Sequence, residues 1–367
     1  MKFKTEKDVI FDELNILQDI VEKRNTMPIL SNILLLTRNG SIEMIATDLE
    51  VGLITKFNAD VEKEGSVALP GKKFFEIIKS LPEGEEIYIK EMENNKIEIK
   101  SAMTRFVMLS SIAEDFPKIS LPDKKEKIEI PFKPFIEMVN KTLYVLASEQ
   151  RYTLNGALFI LKENSMELVA TDGHRLSYNK SKVETKMEGN EQRIIISKKT
   201  LQEIKRMDGI DKFNFYLNEN NLFFEMDNRI LISRKMDFSF PPYEKVIPFD
   251  NENRATINRE DFINAIKRVF IFSSERSRGI KFTFEGDKVF LFTSNPELGE
   301  ASDSVDIGYV GNELEISFNA HYILDFLNSL DDEKIIVEMR DSEKAVLFKP
   351  EETNNYTYLY VLMPMKI

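Results

Sequence analysis

Apolar residues along this chain alternate between two periods, and the alternation recurs in the same order three times. Phe132, Phe135, Ile136, Val139 and Leu143 follow the spacing of a helix with one buried face. Ile10, Leu14, Leu17 and Val21 form such a stripe near the start, and Phe262, Ile263, Ile266 and Val269 form another later. After each stripe the period drops to that of strands. Segment 33–50 turns at Asn39-Gly40, a pair that tolerates the positive φ of a tight hairpin. Segment 157–174 turns near Asn164, and 280–297 turns at Gly286-Asp287. A second helix is predicted over 72–81, 198–207 and 321–330. Each is followed by a closing hairpin, 87–100, 213–226 and 335–348, turning at 93–95, 219–221 and 341–342.

The first hairpins end on Ala46-Thr47-Asp48, Ala170-Thr171-Asp172 and Phe292-Thr293-Ser294. Thr47 and Thr171 are 124 residues apart, and Thr171 and Thr293 are 122 apart. Two units also run into similar segments, Asp115-Phe116-Pro117 and Phe240-Pro241. Helix, hairpin, helix, hairpin at one period is the signature of a repeat. The expected fold class is α+β: three repeated domains, each with two helices packed on antiparallel sheets. Their expected bounds are 1–124, 125–250 and 251–367.

Composition narrows the function. The chain has 367 residues, 42% hydrophobic and 31% charged, with no cysteine and a formal net charge of −12. Absence of cysteine removes disulfides, thiolate nucleophiles and Cys-bound metals, and suits a reducing cytoplasm. No apolar run reaches the ~20 residues of a membrane span, and the acidic start MKFKTEKDVIFDEL does not read as a signal peptide. The charge argues against a wholly basic nucleic-acid binder, but a net value does not report where the charges sit.

Chemistry is sparse. His174 and His321 are the only histidines, and neither has a ligand-spaced partner, so no metal or cofactor is expected. Gly65 to Lys73 resembles a phosphate loop, but it has one residue too many between the glycines, and Lys73 replaces the Mg²⁺-binding hydroxyl. Thr171-Asp172-Gly173-His174-Arg175 is the densest polar run, and an Asp-x-His pair can orient a general base. The matching loop of the first unit, Thr47-Asp48-Leu49-Glu50, keeps the framework without the histidine. A turn whose Thr and Asp satisfy backbone groups is therefore the better reading. No catalytic residue is expected.

Several segments carry a family likeness: Met27-Pro28-Ile29-Leu30-Ser31-Asn32, Ala46-Thr47-Asp48-Leu49-Glu50, Arg151-Tyr152-Thr153-Leu154-Asn155-Gly156, Ala170-Thr171-Asp172-Gly173-His174-Arg175-Leu176, and the terminal Tyr360-Val361-Leu362-Met363-Pro364-Met365-Lys366-Ile367. In order and over the whole chain they resemble the bacterial replicative sliding clamps, the β subunits of DNA polymerase III. That resemblance implies three clamp domains per chain and a head-to-tail homodimeric ring around duplex DNA.

Arg24, Lys72, Lys73, Lys141, Lys198, Lys199, Lys205 and Arg206 lie on helix stretches suited to sequence-independent phosphate contact. The resemblance places Arg24, Gln150 and Arg151 near the duplex. It assigns ring closure to Arg105, Phe106 and Met108 facing Ile271, Phe272, Glu297 and Glu300. It also implies a peptide groove between the second and third units, made of Leu154, Thr171, Gly173, His174, Arg175, Leu176, Pro241, Lys245, Val246, Val361, Leu362, Met363, Pro364 and Met365. Methionine suits such a groove because its thioether repacks around different side chains.

The expected ligand is a short motif rich in Gln, Leu and Phe. Its expected sources are the DNA polymerase III catalytic subunit, the clamp loader and other clamp-binding proteins such as repair polymerases. Lys245 and Lys366 stand where the family often has Arg, and Ala345 where Ser is common, which shifts the detail of peptide preference. A repeat scaffold with no DNA role is the alternative binding module.

Overall fold

The computed structural model describes residues 1–21, 27–119, 121, 126–147, 154–185, 191–274, 278–352 and 356–366. The described residues contain six α-helices: α1 (Lys7–Ile20), α2 (Gly71–Ser80), α3 (Phe132–Asn140), α4 (Lys198–Lys205), α5 (Arg259–Phe270) and α6 (Ala320–Asn328). Each expected helix is present, within two or three residues of its predicted ends. α3 stops at Asn140, short of Leu143, whose N–H still bonds Val139 O at 2.9 Å. α5 shows how the local sequence starts a helix. The Asn258 side chain accepts from the N–H groups of Glu260 and Asp261, and both acids sit in the positive first turn.

The chain forms two compact units, Met1–Lys133 with Gln202–Lys235, and Pro134–Leu201 with Met236–Ile367. The second repeat therefore contributes to both. Unit 1 holds a five-stranded sheet and an eight-stranded sheet, and unit 2 one twelve-stranded sheet. In unit 1, α1 packs on α2, with the Phe11 and Phe75 rings stacked at 5.6 Å. In unit 2, α5 packs on α6, and the Phe270 and His321 rings meet edge-on at 4.7 Å.

Strand register fixes the repeat residue by residue. Asn32, Gly156 and Gly279 pair with Pro70, Ser197 and Asn319, each the residue just before a helix. Leu34↔Ile45, Leu158↔Val169 and Lys281↔Phe292 are then matching cross-strand pairs. This corrects the third tripeptide by one position: Thr293 matches Ala170, and Ser294 matches Thr171. Face alternation explains the shift, because Thr293 is buried and donates its hydroxyl to Gly279 O at 3.0 Å instead of closing a turn.

One connection joins repeats in both units. Strand Val51–Asn58, after the Thr47-Asp48 turn, pairs antiparallel with Arg229–Arg234 of the second repeat. Strand Arg175–Lys182, after the Thr171-Asp172 turn, pairs with Tyr356–Leu362 of the third. Gly52↔Ile232 and Leu176↔Val361 are equivalent pairs. On the same face of each junction lies an apolar cluster, Leu34, Ile45, Phe116 and Ile232 in unit 1, and Leu158, Val169, Tyr243 and Val361 in unit 2.

The third repeat's matching strand, Gly299–Val310, pairs with Lys288–Asn295 over 299–306 and with Asn253–Asn258 only over 307–310. Among the described residues the second edge of 299–306 is open. Thr104–Leu109, the matching last strand of the first repeat, pairs only with Lys96–Ser101 and is a sheet edge too. Thr104 and Arg229 each follow a two-residue hairpin with a left-handed first residue, Ala102 (φ 47°) and Asp227 (φ 49°).

Candidate functional site

The densest polar run forms a tight, fully specified loop in unit 2. Thr171 Oγ1 accepts from Gly173 N at 3.1 Å and donates to Arg175 O at 2.8 Å. Asp172 Oδ1 accepts from His174 N and Arg175 N at 2.9 and 3.1 Å. Gly173 takes φ 90°, where a side chain is strained. Asp172 Oδ2 accepts from Arg175 Nε at 3.0 Å. The aspartate is thus engaged by backbone N–H groups and a guanidinium, and the general-base reading of His174 loses its orienting acid.

Arg175 is buried, and its fork reaches three ways. Besides Asp172 it donates from Nη1 to Asp325 on α6 at 2.7 Å and from Nη2 to Tyr144 O at 2.6 Å. Its guanidinium lies 4.2 Å from the Tyr322 ring centroid, a cation–π geometry. The side chain therefore ties the loop of the second repeat to a helix of the third, beside a layer of buried aromatic rings. There Tyr144 and Tyr358 share a 2.5 Å hydroxyl hydrogen bond, and burial holds the Tyr144 and Tyr360 hydroxyls well above their ordinary pKa.

The C-terminal strand completes the surface. Met363 N donates to His174 O at 2.9 Å, and Met365 N to Ser317 O at 2.9 Å. Leu176 and Val361 sit cross-strand in a buried cluster with Tyr243 and Ile247, against which Phe240, Ala345 and Leu359 pack. Around it Gly173, His174, Pro241 and Lys245 are exposed, as are Val246 (45%) and Met363 (42%). Thr171, Leu154, Pro364 and Met365 are half-buried. Leu362 is buried on the opposite face of its strand from Val361. Lys366 pairs with Glu343 at 3.5 Å. The result is an apolar floor with adaptable methionine and polar edges, suited to a short peptide.

Three family matches cover the chain. Residues 1–120, 129–242 and 244–366 match the N-terminal, central and C-terminal domains of the DNA polymerase III beta subunit. The chain belongs to that family. It is 30% identical over 371 residues to the beta sliding clamp of Salmonella typhimurium, and likewise 30% identical over 371 residues to that of Escherichia coli K12, each covered in full. Its fold matches the DNA polymerase III subunit beta of Pseudomonas aeruginosa with a TM-score of 0.94 at 28% identity, covering both chains completely. A sliding clamp of Bartonella birtlesii bound to griselimycin matches with a TM-score of 0.93 at 31% identity, again over both whole chains. The family consists of processivity factors, not enzymes.

As a family member the chain presents its other expected residues unevenly. Lys72 and Lys73 are exposed in the first turn of α2, with Lys73 Nζ 2.5 Å from Glu76. Lys198 donates to Leu146 O at 2.9 Å, and Lys199 is half-buried beside it in α4. Arg206 pairs with Glu203 and Asp19 at 2.8 and 3.3 Å, and Lys205 is exposed. Lys141 lies 3.8 Å from the Tyr356 ring centroid, and burial lowers its pKa against the pull of Asp332 and Glu137. Arg24, Gln150 and Arg151 lie outside the described residues.

On the open edge strand, Arg105 is exposed and its Nε bonds Glu98 at 2.6 Å, and Phe106 is half-buried. Met108 is buried within its own unit, opposite Ile97, so its side chain is already committed there. The alternation instead turns Val107 and Leu109 outward, two residues that sequence reading missed although strand period was the available signal. On the other open edge Ile271, Glu297 and Glu300 are exposed, and so is Leu298, also missed. Phe272 is half-buried, its ring 3.7 Å from where a Cβ on Gly299 would stand.

Proposed function

We propose that two copies of this chain close head to tail into a ring that encircles duplex DNA and tethers the replicative polymerase. The observation that carries this reading is the pair of open strand edges. Twice within the chain, the strand after the first hairpin's turn binds the last strand of the next repeat; the third such strand, 299–306, has only the last strand of a first repeat left to take. Thr47↔Gly52, Thr171↔Leu176 and Ser294↔Glu300 are equivalent pairs. Ile232 and Val107 are equivalent as well, each three residues beyond its hairpin. The repeat rule therefore sets Val107 of one protomer opposite Glu300 of its partner, with Phe106 opposite Ala301.

That register agrees with the chemistry. Phe106 shares the face of Ala301, near Ile271 and Phe272, while Arg105 falls diagonal to Glu300, within reach of a charge pair. Pairing would also bury two edges that otherwise invite aggregation. Two such heterologous contacts close a ring of six domains, for which the proposed bounds are 1–124, 125–250 and 251–367.

DNA contact is assigned to the helix N-termini. α2 and α4 begin Gly71-Lys72-Lys73 and Lys198-Lys199 and carry no acid in their first turns. Lysine there opposes the helix dipole, at a cost of about 0.3–1 kcal/mol each. A phosphate near those N–H groups offsets that cost and gains from both. Such contacts read no sequence, as a sliding protein requires. The groove of unit 2 takes the clamp-binding motif of the DNA polymerase III catalytic subunit, the clamp loader and other partners such as repair polymerases. The proposed location is the cytoplasm, and no helix among the described residues is long and apolar enough to cross a membrane.

Topological trapping tests the reading. After loading by a clamp loader, the protein should stay on nicked circular DNA through gel filtration in high salt and be lost when the circle is cut. Equal retention on circular and linear DNA would overturn enclosure.

A further inference from the structure

We propose that the junction of the first and second repeats is a latent peptide groove, built like the groove of unit 2 and filled by the chain's own Ile119. The inference rests on the groove assignment above. The two junctions share their loop bond for bond. Thr47 Oγ1 accepts from Leu49 N at 3.0 Å and donates to Val51 O at 3.0 Å. Asp48 Oδ1 accepts from Glu50 N and Val51 N at 2.9 and 2.7 Å. These are the Thr171 and Asp172 bonds displaced by 124 residues. Arg234 N donates to Glu50 O at 2.8 Å, where Met363 N donates to His174 O. Gly173's left-handed backbone is matched by Leu49 at φ 76°.

One exchange separates the open junction from the closed one. Leu176 of the open groove is replaced by Gly52, which leaves a side-chain-sized space in the floor. The segment after Phe116 uses that space. A Cβ on Gly52 would lie 3.2 Å from Ile119 Cδ1, and Ile119 packs against the apolar cluster of its junction. Ile119 stands three residues after Phe116, as Val246 stands three after Tyr243, the residue matching Phe116. Val246 is 45% exposed at the rim, because Leu176 already fills the floor beneath it. Where a partner's apolar side chain would sit, the first junction holds its own.

Leu49 marks the same surface. A bulky residue at positive φ is strained, and glycine would remove that strain. Leu49 nevertheless occupies the position and is 49% exposed. It raises an apolar rim where Gly173 leaves the open groove low. Together the two residues restrict each chain to one open site, and each ring to two.

The test is peptide stoichiometry on the full-length chain, using a fluorescent pentapeptide built from Gln, Leu and Phe. Wild type should bind one peptide per chain and Ile119→Ala two. Ile119→Val, which carries the residue found at 246, keeps the fold if alanine does not, and should show weaker second-site binding. Met363→Asp, which places a charge in the open groove, separates the two claims. That variant alone should bind no peptide, while Ile119→Ala with Met363→Asp should bind one. If the double variant folds, keeps the wild-type mass and binds none, the latent groove is overturned. Peptide binding unaltered by Met363→Asp would instead overturn the assignment of the open groove.

Discussion

Replacing Arg175 with alanine is expected to destabilise the protein by about 2–4 kcal/mol and to weaken groove peptides at least tenfold. The substitution strands three acceptors at once: the Asp172 carboxylate, the Asp325 carboxylate and Tyr144 O. Removing one partner of a buried ion pair costs about 3–5 kcal/mol. Asp325 is partly exposed, and water replaces some of what is lost, so the lower range applies. Peptide affinity falls because the guanidinium orders the loop that carries Thr171 and His174, and sets α6 against it.

Lysine should not rescue Arg175. One ammonium on a flexible stem cannot reach an aspartate of its own turn, a carboxylate of α6 and a carbonyl together. Urea unfolding and peptide titration of Arg175→Ala, Arg175→Lys and Asp325→Asn check this. Asp325→Asn should lower affinity in the same direction by a smaller factor. Wild-type stability and affinity in the lysine variant would contradict the role given to the fork.

The second large effect is expected at Phe106. Phe106→Asp puts a carboxylate opposite Ala301, on the face it shares with Asp303, with apolar neighbours on the partner. An unpaired charge or polar group buried in such a place costs about 3 kcal/mol. A closed dimer buries it twice, so dimerisation weakens by roughly four orders of magnitude. The variant should sediment as a folded species of 42.7 kDa where wild type has twice that mass. It should fold because Phe106 lies on an edge strand and is half-buried in the single chain. A Phe106→Asp protein that stays dimeric at micromolar concentration would remove this strand from the interface.

Local features were legible in the sequence because their causes are local. Asn39 and Gly40 take φ 48° and 71°, the mirror-image turn that their residue types announce. The helix stripes bury as written, with Ile10, Leu14 and Leu17 fully enclosed. The repeat order was legible too, since three copies of a weak pattern reinforce one another. What failed was finer. The third copy was aligned on Thr293, but a threonine can cap a turn or bond across a sheet, and only the strand partner shows which.

The groove was legible in its loop and tail but not in how they join. Arg175 meets Asp325 across 150 residues of sequence, and no local spacing encodes that meeting. Leu362 and Met108 were grouped with their neighbours, yet each falls on the other face of its strand from Val361 and Val107. A strand's residue types do not say which face is covered until its partner strand is known. The basic residues were the least legible, because Lys198 caps carbonyl groups and Lys141 lies on an aromatic ring, uses that charge alone does not distinguish from phosphate contact.

The central claim is that the repeat's own strand-pairing rule closes the ring, and a cysteine pair tests it most directly. The chain contains no cysteine, so Phe106→Cys with Ala301→Cys introduces the only thiols. Under mild oxidation this double variant should run on a non-reducing gel as a covalent dimer, while Phe106→Cys with Asp303→Cys, one step out of register, should cross-link far less. Cross-linking of the shifted pair in preference to the predicted one, or of neither in a dimeric protein, would contradict the account.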